Sequence, residues 1–540
     1  MTVVNVTAAQ SASTYTFPNK DIPWLLRHWA EQTPDKAFLI WEPKDGNAKT
    51  WSYQSFWADV NQVACGLLAK GVVKGDKVLI HAENCPEMVL SWYACALIGA
   101  VGVTTNTRCI GEELDYFASH SDAVGCITQP QFYAELKSSA KSLAWFVVTE
   151  DNAGEAAEAD QLKHGEAEFA SLLNCGDVAP ERAAEPMLPI GIQYTSGTTS
   201  RPKAVVHTHA NALWAGRSNS QNQMNSSTDV YLTFLPFFHV NAQSWCIWNM
   251  LWVGGTVVLQ PKFSASRFWE LSLKYRCTIA SMIPFCFKAI GAQEVPEHHY
   301  RLWATGIVMQ QLESWFKVKT FACWGMTETV AHGTRSDVFQ TWPEKTIGLP
   351  SPGYEFAIVD ADTGDICPAG VEGNFCIRGT RGVQLFYEYY KNPEAMEKSF
   401  TKDGWFITGD RVSVREDGFL YFGDRDKDLL KVGAENVSAR QIEEVIYQLQ
   451  GCFDEVAVVA QKHDMLDEVP VVFAIKSAQS QESEADLSAK LLAHCAEKLA
   501  DFKCPRAVYF LEDFPRVTLD KTAKNKLRDL ANQYADECAK

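Results

Sequence analysis

An α/β architecture with largely parallel sheets is the fold class this chain predicts, and three features predict it. Short β-branched runs alternate with stretches of helical periodicity from about residue 22 to about residue 356, the pattern of βαβ units. From Gly353 to Gly423 the character changes to Gly, Asp and short strands. After the charged run Asp424-Arg425-Asp426-Lys427-Asp428 a compact module of helices and strands follows.

Taken in order, residues 1–20 are rich in Ser, Thr and Ala and read as a loose leader. A helical pattern opens at Ile22 with Trp24, Leu25, Leu26 and Trp29, followed by the turn Thr33-Pro34-Asp35 and a strand over Ala37–Trp41. Trp57 to Leu68 again has helical spacing, and Gly75-Asp76 introduces a strand at Lys77–Ile80. A helix from Pro86 to Leu97 leads into Gly99–Val103, and the acidic, Ala-rich stretch from Ala153 to Glu185 reads as a surface excursion. Strands at Tyr231–Leu235 and Thr256–Gln260 enclose an apolar, Trp-rich segment. Turns at Asp362-Thr363-Gly364, Asp403-Gly404 and Asp417-Gly418 are hairpin signals and predict a mostly β subdomain from about residue 353. Beyond the charged run, a helix over Ala439–Gln450 places Ile442, Val445, Ile446 and Leu449 on one face. Strands at Glu455–Ala460 and Pro470–Ile475 and a helix at Leu487–Phe502 complete the module. A domain boundary at the charged run divides 1–424 from 425–540, and no internal repeat is visible.

Composition narrows the function classes. The 540 residues allow roughly 3–4 domains. A net charge of −17 excludes a general nucleic-acid binder, which needs a basic footprint, but leaves room for a nucleotide site that needs only local positive charge. No two of the 16 cysteines lie within four residues of each other, so C-x-x-C metal or redox motifs are absent and reduced thiols are expected. Met1–Asn19 has neither the basic nor the apolar region of a secretory signal, and no apolar run approaches a membrane span. A cytoplasmic protein without integral membrane association is expected.

Five stretches carry chemistry. Tyr194-Thr195-Ser196-Gly197-Thr198-Thr199-Ser200-Arg201-Pro202-Lys203 joins hydroxyls, free amides and a terminal lysine, a composition that can wrap a polyphosphate. It is not a Walker A loop, because Ala204 follows the lysine. Leu235-Pro236-Phe237-Phe238-His239-Val240 ends a strand with a histidine, and Trp324-Gly325-Met326-Thr327-Glu328-Thr329 offers a flat aromatic, a hydroxyl and a carboxylate. Gly404-Trp405-Phe406-Ile407-Thr408-Gly409-Asp410 ends in a carboxylate, and Pro515-Arg516-Val517-Thr518-Leu519-Asp520-Lys521 places a lysine near the C-terminus. Singly, each has an ordinary structural reading: a surface turn, a packed histidine, a core tryptophan, a turn aspartate, a solvated lysine.

Together and in this order they resemble the adenylate-forming superfamily of acyl-CoA synthetases, luciferases and peptide-synthetase adenylation domains. The resemblance runs from about Ile22 to Arg528. It is nearest to crotonobetaine/carnitine-CoA ligases, through Ser200 in the loop, the runs Phe263–Trp269 and Lys274-Tyr275-Arg276, and Glu435-Asn436-Val437-Ser438. The resemblance implies a large N-terminal domain of two α/β subdomains plus a β-rich subdomain, with a small mobile C-terminal α+β domain. It implies a two-step reaction, in which a carboxylate attacks the α-phosphate of ATP and the thiol of coenzyme A then displaces AMP. It further implies small-molecule partners only (a carboxylic acid, ATP and coenzyme A) and a monomer or homodimer.

Residue by residue, the same resemblance implies that Thr195, Ser196, Gly197, Thr198, Thr199 and Lys203 hold the β- and γ-phosphates. Glu328 would bind Mg²⁺, a metal that suits a carboxylate oxygen sharing its shell with phosphate oxygens. Thr327 would donate to the α-phosphate, Trp324 beside Gly325 would pack on adenine, and Asp410 would accept the ribose hydroxyls with Arg425 beside it. Lys521 would act at the reacting α-phosphate, Lys427 is the implied hinge, and His239 would gate the acyl pocket. Gly433 and Ala434 would line the pantetheine tunnel. Relatives carry glycine where Ala434 stands, and the added methyl raises the alternative of an amine or carrier-protein acceptor. A nucleotide-binding protein without catalysis is a further alternative, opposed by the presence of Glu328, Asp410, Arg425 and Lys521. Leu519-Asp520-Lys521-Thr522 and Thr305-Gly306-Ile307-Val308 also depart from the common motifs.

The acid itself stays open. Trp245, Trp248 and Trp252 fall at i, i+3 and i+7, one face of an α-helix. They could form an aromatic wall for a trimethylammonium group, a stripe packed into the core, or the lining of a roomy pocket for a bulky apolar acid. His239, Trp245 and Trp248 are the expected pocket residues.

Overall fold

The computed structural model describes residues 17–538 except 110, 177, 196–201, 426–428, 433–434, 464–465, 500 and 518–520. The alternation of strands and helices resolves into two large sheets and a smaller C-terminal one. In the thirteen-stranded sheet, Ala37–Trp41, Thr256–Leu259, Val230–Thr233, Ile279–Ser281, Leu302–Thr305 and Lys319–Trp324 lie side by side and parallel. The eight-stranded sheet is parallel from Ala167–Glu168 to Pro189–Thr195. It then closes with the antiparallel strands Lys203–Thr208 and Glu388–Tyr389.

The parallel strands read as unbroken apolar runs because helices cover both faces. Helix Pro86–Ile98 (PEMVLSWYACALI) is buried almost all round and has no polar face to turn to solvent. Its Trp92 explains two glycines: a Cβ on Gly102 would lie 2.7 Å from the indole, and one on Gly191 3.3 Å from it. Helix His209–Gln223 starts at a capping box between Thr208 and Asn211, which satisfies two of the orphan amides of its first turn. The Asn211 side-chain amide also donates to the carbonyls of Val383 and Leu385, at 2.8 Å each. The segment running into Glu388–Tyr389 is thereby fixed to the interior.

The predicted turns at residues 362–364, 403–404 and 417–418 are present, with Gly364, Gly404 and Gly418 at φ of 75°, 82° and 82°. The β-rich region they punctuate is continuous with the parallel sheet. Thr346–Pro350 pairs on one side with Thr334–Arg335 and on the other with Leu420–Arg425, which pairs with Phe406–Val414. Between Ala153 and Glu185 the chain is more than an excursion. It contains strand Ala167–Glu168 and helix Ala170–Leu173, and a Cβ on Gly66 would lie 2.8 Å from Leu172.

Leu420–Arg425 belongs to the thirteen-stranded sheet, and the next strand, Leu429–Val432, belongs to a five-stranded sheet with Glu435–Ser438, Asp467–Lys476, Phe453–His463 and Val508–Phe510. The C-terminal part has its own core, in which Val458, Val472, Ile442, Ile446, Leu487 and Leu491 pack together. Helix Ala439–Ile446 is shorter than its apolar spacing predicts, because the chain turns through Gly451 at φ 73°. No helix among the described residues is long and apolar enough to cross a membrane.

The sequence run at Arg267 and Lys274-Tyr275 proves to be an electrostatic anchor. Glu42, 4% exposed, accepts from Arg267 at 2.9 Å and from Lys274 and Tyr275. Burial alone would raise the Glu42 carboxyl. The hydrogen bonds from Lys274 and Tyr275 and the charges of Lys274 and Arg267 outweigh it and hold the carboxyl below its ordinary value. A depressed carboxyl contributes stability above its unfolded value of about 4.3, and the contribution disappears as pH falls through the folded one. Glu42→Gln is therefore expected to cost about 1–3 kcal/mol near neutrality, discounted for the partly exposed Lys274. The difference in Tm between variant and parent should shrink on acidification below the ordinary carboxylate range. A difference that grew instead would contradict this role.

Candidate active site

The site groups sit where parallel strands end at their carboxyl edges, the usual ligand position of open α/β sheets. Lys319–Trp324 delivers Trp324 and then the 3₁₀ turn Thr327–Thr329. Val230–Thr233 delivers the segment to His239, and Leu302–Thr305 delivers Gly306.

On the phosphate side, Thr195 and Lys203 face each other across the hairpin between the strands Pro189–Thr195 and Lys203–Thr208. The expected phosphate contacts at Ser196, Gly197, Thr198 and Thr199 lie outside the described residues. The Lys203 ammonium stands 4.6 Å from the centroid of the Tyr389 ring. The hydroxyl of that tyrosine donates to Glu328 Oε1 at 2.8 Å, and the Phe386 N–H donates to the Glu328 carbonyl at 2.9 Å. Glu328 is 4% exposed. Thr327, partly exposed beside it, has its carbonyl held by His207 Nε2 at 2.8 Å. Burial lowers the His207 imidazole to about 4, so the ring is neutral near pH 7 with its proton on Nε2.

On the ribose side, Asp410 is 3% exposed and accepts from the Trp324 indole N–H at 2.8 Å. Asp410 is the register partner of Arg425, whose side chain is not described. Trp324 packs against Phe375 at 4.7 Å between ring centroids, and a Cβ on Gly333 would lie 2.5 Å from its ring. The indole thus does more than offer a face for a base: it fixes the carboxylate beside it. Trp324→Phe keeps an aromatic six-membered ring and removes the indole N–H, and with it a hydrogen bond to a charged acceptor worth about 1.5 kcal/mol. The expected result is a KM for ATP raised roughly tenfold, with kcat little changed. An unaltered KM would mean that Asp410 is oriented without the indole.

On the third side, the tryptophan stripe departs from expectation. Asn241–Trp248 is a π-helix that passes into an α-helix at Asn249–Val253. The wider turn sends the three indoles apart. Trp245 donates to the Val330 carbonyl at 3.3 Å, and a Cβ on Gly325 would lie 2.7 Å from it. Trp248, 1% exposed, packs on Trp92 and His207, and Trp252 packs on Phe17. The continuous wall is replaced by Trp245 alone beside Gly325, and Trp248 is core. His239 is half-buried against Phe238.

Val330, just past the turn, has φ 60° and ψ −54°, a strained conformation for a β-branched residue. Its carbonyl accepts from Ser244 Oγ at 2.6 Å as well as from Trp245, which helps to hold the strain in place. Lys521 begins strand Lys521–Thr522, paired with Arg516–Val517. Glu455 anchors that hairpin, accepting from Arg516 at 3.0 and 2.6 Å and from the Thr522 hydroxyl at 2.6 Å. Lys427, Gly433 and Ala434 lie outside the described residues. Tyr389, His207 and Val330 were not singled out by sequence. The only available signal was the unusual run Tyr387-Glu388-Tyr389-Tyr390.

Residues 26–390 match the AMP-binding enzyme family and residues 441–524 match the AMP-binding enzyme C-terminal domain. The chain belongs to the AMP-binding enzyme family. A crotonobetaine/carnitine–CoA ligase of Proteus mirabilis is 33% identical over 517 residues, covering 92% of this chain and 97% of the relative. Another from Citrobacter koseri is 33% identical over 523 residues, with the same coverage. Among solved structures, an anthranilate CoA ligase in complex with anthranoyl-AMP superposes with a TM-score of 0.83 at 23% identity, over 96% of this chain and 98% of the other. An O-succinylbenzoate coenzyme A synthetase from Bacillus subtilis in complex with AMP gives 0.78 at 25% identity, over 94% and 99%.

This AMP-binding enzyme is an adenylate-forming enzyme of the acyl-CoA synthetase type, for which ATP and coenzyme A are the expected small molecules, with Mg²⁺ the metal that the sequence resemblance implies. The donor set fits the metal. Among the described residues no group of three or more His, Cys, Asp and Glu side chains could cage an ion. A single buried carboxylate, Glu328, stands beside the phosphate hairpin, as suits an ion held largely by phosphate oxygens and water.

Proposed function

We propose that this chain is an AMP-forming acyl-CoA ligase for a small acid of the carnitine type. The observation that carries the proposal is a grouping drawn from the two large sheets: Lys203 and Glu328, joined through Tyr389, and Trp324 with Asp410. The choice of acid is supported by the names of the relatives and by Trp245 beside Gly325. One indole face can take a trimethylammonium group, and its closeness to Gly325 favours a small acid.

In this reading Thr195 and Lys203 hold the β- and γ-phosphates, and the Thr327 hydroxyl donates to the α-phosphate. Asp410, oriented by Trp324, accepts the ribose hydroxyls. Glu328 would help to hold Mg²⁺, which would supply positive charge against the phosphates. A carboxylate oxygen attacks the α-phosphorus, the bond to the bridging oxygen breaks, and pyrophosphate leaves. Lys521 stabilises the charge that grows on the α-phosphate. The small C-terminal domain, 425–540, turns about Lys427 between steps. The coenzyme A thiol then loses its proton and attacks the acyl carbon past Gly433 and Ala434, and AMP departs with the electron pair. His239 closes the acyl pocket sterically.

The test is pyrophosphate release with a panel of crotonobetaine, carnitine, short fatty acids and bulky aromatic or branched acids, first without and then with coenzyme A. The expected result is turnover with the trimethylammonium acids and AMP plus thioester when coenzyme A is added. Turnover confined to bulky acids would replace the substrate assignment. Adenylate that never consumes coenzyme A would overturn the ligase assignment.

A further inference from the structure

We infer that Tyr389 is a positioning residue for the phosphate side of the site, holding the Glu328 carboxylate through its hydroxyl and the Lys203 ammonium over its ring. The inference rests on the reading of Lys203 and Glu328 given above.

The tyrosine is fixed more firmly than packing alone requires. Its strand pairs with the one that begins at Lys203, with Tyr389 opposite Val205 and Glu388 opposite Val206. The N–H groups of Tyr387 and Tyr390 donate to the carbonyls of Val206 and Ala204, both at 2.8 Å. The Phe386 N–H reaches the Glu328 carbonyl. One short segment therefore ties the exit of the phosphate hairpin to the 3₁₀ turn of Glu328, and Tyr389 is where the two meet. The ring is 3% exposed.

Opposite charges held on one buried ring have a tendency to pair directly. A direct pair would spend the charge that each must offer to a polyphosphate and its cation. The aromatic face and the hydroxyl hold each group in place without neutralising it. The alternative is that Tyr389 is only a packing residue, one ring in a cluster with Phe386.

Two variants separate these. Tyr389→Phe keeps the ring and the packing and removes the hydroxyl. Tyr389→Leu removes both, leaving Lys203 free to close on Glu328. Two ligand titrations are read by calorimetry without any acid present: MgATP, and inorganic pyrophosphate in chelator without metal. Mn²⁺ with ATP, followed by electron paramagnetic resonance, reports the metal directly.

For Tyr389→Phe, the expected result is Mn²⁺ affinity in the ATP complex weakened about tenfold, the size of one charge-assisted hydrogen bond. Its metal-free pyrophosphate affinity should stay as in the parent. For Tyr389→Leu, the metal-free pyrophosphate affinity should fall as well, by roughly five- to tenfold. Unchanged Mn²⁺ affinity in the phenylalanine variant, with or without a drop in Tm, would overturn the inference. So would parental pyrophosphate affinity in the leucine variant, and if that variant does not fold, the phenylalanine variant decides alone. A parent protein that binds MgATP but turns over no acid would remove the substrate assignment and leave this inference standing. One that binds neither ATP nor pyrophosphate would remove the underlying site reading.

Discussion

Lys521→Ala is expected to lower the rate of acyl-adenylate formation by about 10²–10³-fold, the ~3–4 kcal/mol that one positioned donor contributes to a developing charge. Thioester formation from supplied acyl-AMP should be essentially unchanged. The asymmetry follows from the role proposed for the lysine: an ammonium at the α-phosphate would matter while pyrophosphate is leaving and not when a thiol attacks the acyl carbon. The fold should tolerate the change, because the hairpin is held elsewhere, by Arg516 and Thr522 on Glu455. Pyrophosphate release and AMP release from synthetic adenylate, measured side by side, check it. Equal loss of both steps would contradict a lysine that serves one step only.

Glu328→Gln should lower adenylation by on the order of 100-fold, near 2.7 kcal/mol. The glutamine is isosteric, and its carbonyl oxygen can still accept from Tyr389, so the 3₁₀ turn at Thr327–Thr329 is preserved. What is lost is the negative charge offered to a divalent cation. The Mg²⁺ concentration needed for half-maximal pyrophosphate release should rise with the fall in rate, and the KM for the acid should not move. A rate loss without a changed Mg²⁺ requirement would place the carboxylate outside the metal's shell.

The parts of the candidate site that could be proposed from sequence are short runs of local chemistry. Thr195–Lys203, Trp324–Glu328 and Asp410 were picked out as runs of hydroxyls, glycines and acids whose order along the chain, not any one of them alone, carries the family resemblance. Strand Ala37–Trp41 was legible for the same reason, as an apolar run set off by the Thr33-Pro34-Asp35 turn. Tyr389 was not, since its partners lie 61 residues away at Glu328 and across a strand pairing with Val205. The bond from Trp324 to Asp410 spans 86 residues and depends on two strands that only the folded sheet brings together. The core reading of the tryptophan stripe agrees with the burial of Trp245 and Trp248, but the separate directions of the indoles were not legible, because the spacing was read as α-helical whereas the backbone over Asn241–Trp248 is wound as a π-helix. The run Arg267 with Lys274-Tyr275 carried a resemblance in sequence but serves in the structure to neutralise buried Glu42.

The strand Leu420–Arg425 ends one sheet, and Leu429 begins the next. At about 3.3–3.6 Å per residue, the path from Arg425 to Leu429 can extend to only about 13–14 Å. Arg425 itself is held in register with Asp410. Strand Leu429–Val432 therefore starts within that distance of Arg425, which is the register partner of Asp410. Under the proposed domain swing, the movement that exchanges Lys521 for another face would be an arc centred next to Asp410 rather than a translation.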